Sequence, residues 1–175
     1  MKFRKGSFCL VALLLGAHIG ARLASVQAGP ALTEGQVLRV LDGDSLVCKS
    51  GNRALNLRLW GIDAPERGQP LAAESRTRLA ALVMGKPVGL LLKGKDRYGR
   101  TIARLQLPDG SDAGERMVRA GLAWWYRHYA PHDKALAALE QEARLDRRGL
   151  WALPAPVPPW EFRHGKASRQ VKAFD

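Results

Sequence analysis

Three charged residues crowd into one short stretch, Leu57-Arg58-Leu59-Trp60-Gly61-Ile62-Asp63-Ala64-Pro65-Glu66. It begins as a strand: Leu57 and Leu59 share one face and Arg58 takes the other, because side chains alternate with period two. Gly61 breaks the alternation, and Pro65 excludes a central strand running through it. A hydrophobic strand therefore carries an arginine, an aspartate and a glutamate into a constrained turn. Taken singly, each reads as solvated loop charge. Taken together, they suit a site where a cation and an arginine both hold a phosphate. Two further segments offer the same chemistry, Asp42-Gly43-Asp44-Ser45 before the stretch and Asp96-Arg97-Tyr98-Gly99-Arg100 after it.

The elements that must position these groups follow from pattern and punctuation. Strands are predicted over Gln36 to Leu41, Ser45 to Lys49 and Ala54 to Leu59, separated by the turn signals Asp42-Gly43-Asp44 and Ser50-Gly51-Asn52. A helix follows, with Pro70 suited to its first position, Leu71, Leu79, Leu82 and Val83 at helical spacing, and Gly85 as its stop. Pro87 to Leu92 and Arg100 to Leu107 read as the fourth and fifth strands, joined by a polar, glycine-bearing loop. Asp112 and Glu115 have capping-box spacing for a short helix ending near Ala120. Ala123 to Tyr129 reads as a short extended piece. A last helix spans roughly Asp133 to Arg148, its basic end suiting the helix dipole. Five strands with a helix after the third give an α+β class, a five-stranded OB-fold β-barrel with three helices. The barrel domain covers 35–152. Beyond it, Pro154, Pro156, Pro158 and Pro159 precede a basic tail. Residues 153–175 read as an extended wrap and a disordered end, with Trp160 and Phe162 available to pack back on the domain.

The 175 residues carry a formal net charge of +12, which attracts polyanions, nucleic acid first among them. Lys2, Arg4 and Lys5, then an apolar run to Ile19, then Val26-Gln27-Ala28 form the layout of a secretory signal peptide over 1–28, with 29–34 as a linker. Cleavage there removes four basic residues and leaves +8. The expected location is periplasmic or secreted, or membrane-anchored if the leader is retained. Cys9 lies in the leader, so Cys48 would be the sole thiol of the mature chain and no internal disulfide forms. Without a cysteine or histidine cluster, any metal must take oxygen ligands, which favours calcium or magnesium.

The three charged segments, in this order, resemble the staphylococcal nuclease (thermonuclease) family. Its Asp-Gly-Asp-Thr/Ser turn stands here as Asp42 to Ser45, its Arg-x-x-x-x-Asp-x-Pro-Glu segment as Arg58 to Glu66, and its Asp-x-Tyr-Gly-Arg as Asp96 to Arg100. Val118 to Ala123 and Gly149-Leu150-Trp151 are also similar. The resemblance implies that Asp44 and Asp63, with the Ala64 carbonyl, bind Ca2+. It further implies that Arg58 and Arg100 grip the phosphate and that Glu66 orients or deprotonates the attacking water. Arg97 falls where the family has a lysine near a phosphate, and Tyr129 on a family tyrosine near the nucleotide. Arg127 replaces the neighbouring family tyrosine, and Ala64 stands where threonine is frequent. The implied reaction is endonucleolytic hydrolysis of DNA and RNA leaving 3′-phosphates, by a monomer without a protein partner.

Other readings of the same residues stay open at this point. Arg58 can pair with Asp63 or Glu66, and Arg100 with Asp96. Asp42 reads as a turn former, Tyr98 as barrel packing, and the tryptophans of Trp124-Trp125-Tyr126 as core. The competing function is a non-catalytic OB-type module that binds nucleic acid or protein. An intact Arg58, Glu66 and Arg100 set argues against it.

Overall fold

The computed structural model describes residues 32–172. The expected leader and its cleavage site lie outside the described residues. Among the described residues, no helix is long and apolar enough to cross a membrane.

Five strands close a barrel in the order β1 (Thr33–Val40), β2 (Ser45–Ser50), β3 (Arg53–Leu59), β6 (Thr101–Gln106), β5 (Pro87–Lys95). All neighbours are antiparallel except β3 and β6. That parallel pair closes the barrel, setting Arg58 opposite Ile102 just beyond the loop that carries Arg100. Alternate residues fill the interior: Val37, Val40, Leu46, Cys48, Leu57, Leu59, Val88, Leu90, Ala103 and Leu105 are all buried. Cys48 is a free thiol within this packing.

The first strand starts earlier than expected. Thr33 and Glu34 are not linker: they pair with Leu90 and Gly89 of β5, whose edge would otherwise be bare. The fourth expected strand likewise extends to Lys95, because its ladder with β6 continues to the Lys95–Thr101 pair.

A second, two-stranded sheet joins β4 (Ile62–Asp63) to β7 (Trp124–Trp125), with Asp63 opposite Trp124. The extended piece expected over Ala123 to Tyr129 is therefore real but short, and it anchors the acidic turn. Trp124 is buried and Trp125 half-buried. Gly61 makes the turn from β3 into β4 at φ 71°, and a Cβ there would lie 2.7 Å from Leu136 Cδ1. Only glycine meets both demands.

Among the described residues there are four α-helices, one more than expected. α1 (Ala72–Val83) begins after Pro70, not at it, since its cap residue Leu71 takes a left-handed conformation at φ 64°. α2 (Ala113–Arg119) opens on Asp112, whose side chain accepts from Glu115 N at 2.9 Å. α3 (Lys134–Leu145) is capped by Asp133. The 3-10 turn Gly149–Ala152 then runs against the end of α2, with Leu150 N donating to Gly121 O at 2.8 Å. Arg104 on β6 ties the barrel to both helices through Glu115 and Asp133.

The tail corrects the sequence reading most. After the proline-rich stretch the chain forms α4 (Pro159–Lys172), not a disordered end. Pro159 occupies the first helical position, where its missing N–H costs nothing, and Pro158 O accepts from Glu161 N and Phe162 N. The aromatic residues hold the helix to the domain as expected: the Trp160 ring lies 5.4 Å from Tyr126, and Phe162 shares a cavity with Trp124 and Leu150.

Candidate active site

Asp44 ends the turn between β1 and β2. Asp42 builds that turn by accepting from Asp44 N at 3.0 Å, and Asp44 O accepts from Leu59 N at 2.8 Å. Gly43 lies so close to α1 that a Cβ would sit 1.9 Å from Ser75 Oγ and 2.7 Å from Ala64 Cβ. The turn is thereby pressed against the acidic segment. Ala64 N donates to Asp44 Oδ2 at 2.6 Å, and Ser45 Oγ to Asp44 Oδ1 at 2.9 Å.

Asp44 and Asp63 are 4% and 1% exposed, a burial that ionised carboxylates tolerate only with compensation. Arg58 supplies it. Its guanidinium bridges the two, forming an ion pair with Asp44 and donating to Asp63 Oδ1 at 2.7 Å. Burial pushes the Arg58 guanidinium below its ordinary value; Asp63 opposes that, and the nearby Arg100 charge adds to it. The site thus gathers two arginines, each already paired with a carboxylate: Arg58 with Asp44 and Asp63, Arg100 with Asp96.

Asp44, Asp63, Ala64, Glu66 and Arg100 line one cavity of about 500 Å³. Arg100 enters it from the loop between β5 and β6, held by Asp96, which accepts from Arg100 Nε at 2.7 Å. A second cleft adjoins the first through Glu66 and Arg100, and Arg97 lines it. The structure therefore brings Asp44, Arg58, Asp63, Ala64, Glu66, Arg97 and Arg100 together. Tyr129 sits elsewhere, in a cluster where its ring lies 5.0 Å from Tyr126 and 5.1 Å from His128. Tyr98 is not barrel packing: it is 69% exposed, with Arg97 stacked on its ring.

Two site residues escaped the sequence reading. Arg163 on α4 donates to Asp63 Oδ2 at 2.8 Å and Glu66 Oε1 at 2.6 Å. Gln69 accepts from Glu66 N and donates to Val157 O, each at 2.8 Å. Pro158-Pro159 followed by Trp-Glu-Phe-Arg is a helix-start signal that would have placed Arg163 on a helix. Clustered prolines masked it. Nothing in the spacing pointed to Gln69.

The model of the family described as staphylococcal nuclease homologue matches residues 56–153. This chain belongs to that family. Membership makes it a nuclease, a hydrolase of phosphodiester bonds, carried on the α+β barrel described above. Among similar proteins, an uncharacterized endonuclease of Escherichia coli is 44% identical over 132 residues, which are 75% of this nuclease and 86% of the relative. A micrococcal nuclease of Shigella flexneri is 38% identical over 156 residues, 83% of this chain and 90% of its own. Staphylococcal-like nuclease CAN1 of Arabidopsis thaliana is 40% identical over 116 residues, 65% of this chain and 35% of its own.

The donor set bears on which metal the nuclease can hold. Among the described residues, no group of three or more His, Cys, Asp or Glu side chains is arranged around a metal position. Asp44 and Asp63 offer hard oxygens only, and they converge on one cavity. Such a set fits an ion that keeps waters in its shell.

Proposed function

We propose that this nuclease is an exported, calcium-dependent endonuclease that hydrolyses DNA and RNA and leaves 3′-phosphate ends. The observation that supports it is the convergence of Asp44, Asp63, Glu66 and Arg100 on one cavity, with Arg58 bridging the two aspartates behind it. Asp44, Asp63 and the Ala64 carbonyl would hold calcium, which when bound offsets phosphate charge and polarises its oxygens.

Arg58 and Arg100 bind the non-bridging oxygens of the scissile diester and take up the charge that grows there. Glu66 accepts a proton from a water. That water's oxygen bonds to phosphorus, the bond to the 5′-oxygen breaks, and the 5′-oxygen leaves as a hydroxyl on taking a proton from solvent water, while Glu66 returns its own proton to solvent. The products are a 3′-phosphate and a 5′-hydroxyl. Arg97 contacts a neighbouring phosphate; Tyr129 lines neither cleft, so a base or sugar reaches it only where the strand runs on beyond them. A site built from phosphate-binding groups is indifferent to base edges, so DNA and RNA are both accepted. The leader over 1–28 supports export, and the basic charge supports a polyanionic substrate.

The test is digestion of plasmid DNA and of RNA by purified protein, with calcium or with chelator, followed by end-group analysis. The expected result is cleavage of both, abolished by chelation, with 3′-phosphate ends. Binding without cleavage under every divalent ion tried would replace this reading with that of a binding module. The N-terminal mass of exported protein tests the leader.

A further inference from the structure

Glu66 stands on a turn, and its side chain is 39% exposed. A glutamate that open ordinarily samples several rotamers, which suits a base poorly: a misplacement of about 1 Å can cost a hundredfold in rate. Here the carboxylate is held. Arg163 Nη1 donates to Glu66 Oε1 at 2.6 Å, while the same guanidinium reaches both oxygens of Asp63, at 2.8 and 3.3 Å. Asp63 is buried and fixed by its pairing with Trp124, so it is a rigid post for the arginine.

The helix carrying Arg163 is itself secured. Pro159 starts it, Trp160 packs on Tyr126, and Phe162 enters the cavity beside Trp124. Gln69 joins the two sides a second time, accepting from Glu66 N and donating to Val157 O just before the helix. Burial works against the Arg163 charge, but its hydrogen bonds to Asp63 and Glu66 outweigh that and raise the guanidinium above its ordinary value. It is a permanent cation at this position.

We propose that Arg163 is a positioning residue for the hydrolysis: α4 delivers a guanidinium that clamps Glu66 against Asp63 and so aims the base at the attacking water. The proposal rests on the nuclease reading above. It gives the segment after the barrel a part in the reaction, acting through Glu66 and not on the phosphate.

A double-mutant cycle tests it on the full mature chain. Arg163→Ala is expected to lower kcat about a hundredfold with KM for DNA nearly unchanged, and Arg163→Lys to recover part of the loss. In a Glu66→Ala background, removing Arg163 should cost no further activity, because its effect runs through the carboxylate already gone. An equal loss in both backgrounds, or a full rate for Arg163→Ala, would overturn the proposal. The same cycle read by thermal melting measures the Arg163–Glu66 coupling without any turnover. Coupling is expected; strictly additive melting shifts would show that no clamp exists. Calcium titrated calorimetrically without nucleic acid should bind Arg163→Ala at least as tightly as wild type, since a competing cation has left Asp63. Weaker binding would mean that the arginine builds the ion site and does not position the base. A wild-type protein that cleaves nothing would count against the nuclease reading instead, leaving the melting cycle to judge the clamp.

Discussion

Arg58 donates to Asp63 Oδ1 at 2.7 Å from five residues earlier in the chain, while its other terminal nitrogen pairs with Asp44. The arginine proposed to bind phosphate is thus also the counter-charge of both proposed calcium ligands. Arg58→Ala removes both roles. Asp63 keeps Arg163, but buried Asp44 loses its arginine. Denaturant unfolding in chelator should show a loss of about 3 kcal/mol, the scale for breaking a buried pair. Turnover should fall by about a thousandfold or more, as when a preorganised charge donor is removed from an active site. Wild-type stability in chelator would show that the bridge carries no structural load.

Calcium should reverse part of that loss. An ion bound by Asp44 and Asp63 replaces the missing cation, so the Arg58→Ala protein should gain more melting temperature from calcium than wild type does. Binding at a hundredfold excess over Kd adds about 2.7 kcal/mol by mass action. Asp44→Asn is expected to abolish the calcium-dependent shift in differential scanning fluorimetry. A shift that persists unchanged in that variant would place the ion elsewhere.

The barrel and its acidic turns were legible because each rests on local chemistry. Alternation marked β3, Asp42-Gly43-Asp44 marked the turn between β1 and β2, and Asp112 with Glu115 marked the start of α2. What was not legible depends on contacts distant in sequence. Thr33 and Glu34 join the barrel only because β5 offers an edge. Arg163 meets Asp63 across a hundred positions, and the four prolines before it read as extended chain although the last of them starts a helix. Gln69 looks like any polar loop residue until Val157 is folded over it. Pairings already suspected from spacing, Arg58 with Asp63 and Arg100 with Asp96, did form.

Gln69 separates two functions of one amide. It is buried, accepting from Glu66 N and donating to Val157 O. Gln69→Ala leaves both partners unsatisfied, a cost of about 1–3 kcal/mol. Gln69→Glu retains an acceptor for Glu66 N but loses the donor to Val157 O. It should therefore keep the turn while loosening the segment that leads into α4. Limited proteolysis is expected to cut the chain after Leu153 faster in both variants than in wild type. Equal protection in all three would show that the aromatic contacts of α4 hold the tail alone.

Asp96 offers a pH signature for the loop that presents Arg100. Burial raises its carboxyl, but hydrogen bonds from the Arg100 side chain and from the backbone N–H groups of Arg100 and Tyr98 outweigh it, leaving the folded value below the ordinary one. A depressed carboxylate stabilises the fold above its unfolded value of about 3.9, and that contribution disappears as pH falls through the folded value. Asp96→Asn has no such titration. Wild type should therefore be the more stable of the two at pH 7 and at pH 5, and the gap should close below about pH 4. Urea midpoints across that range give the comparison. The same variant frees the Arg100 guanidinium from its partner, so kcat/KM should drop several-fold at pH 7 while the barrel remains folded. A gap that stays constant down to pH 2.5 would mean that the Asp96–Arg100 pairing adds nothing to stability, and the loop must then be held by its backbone turn, where Gly99 N donates to Asp96 O at 3.0 Å.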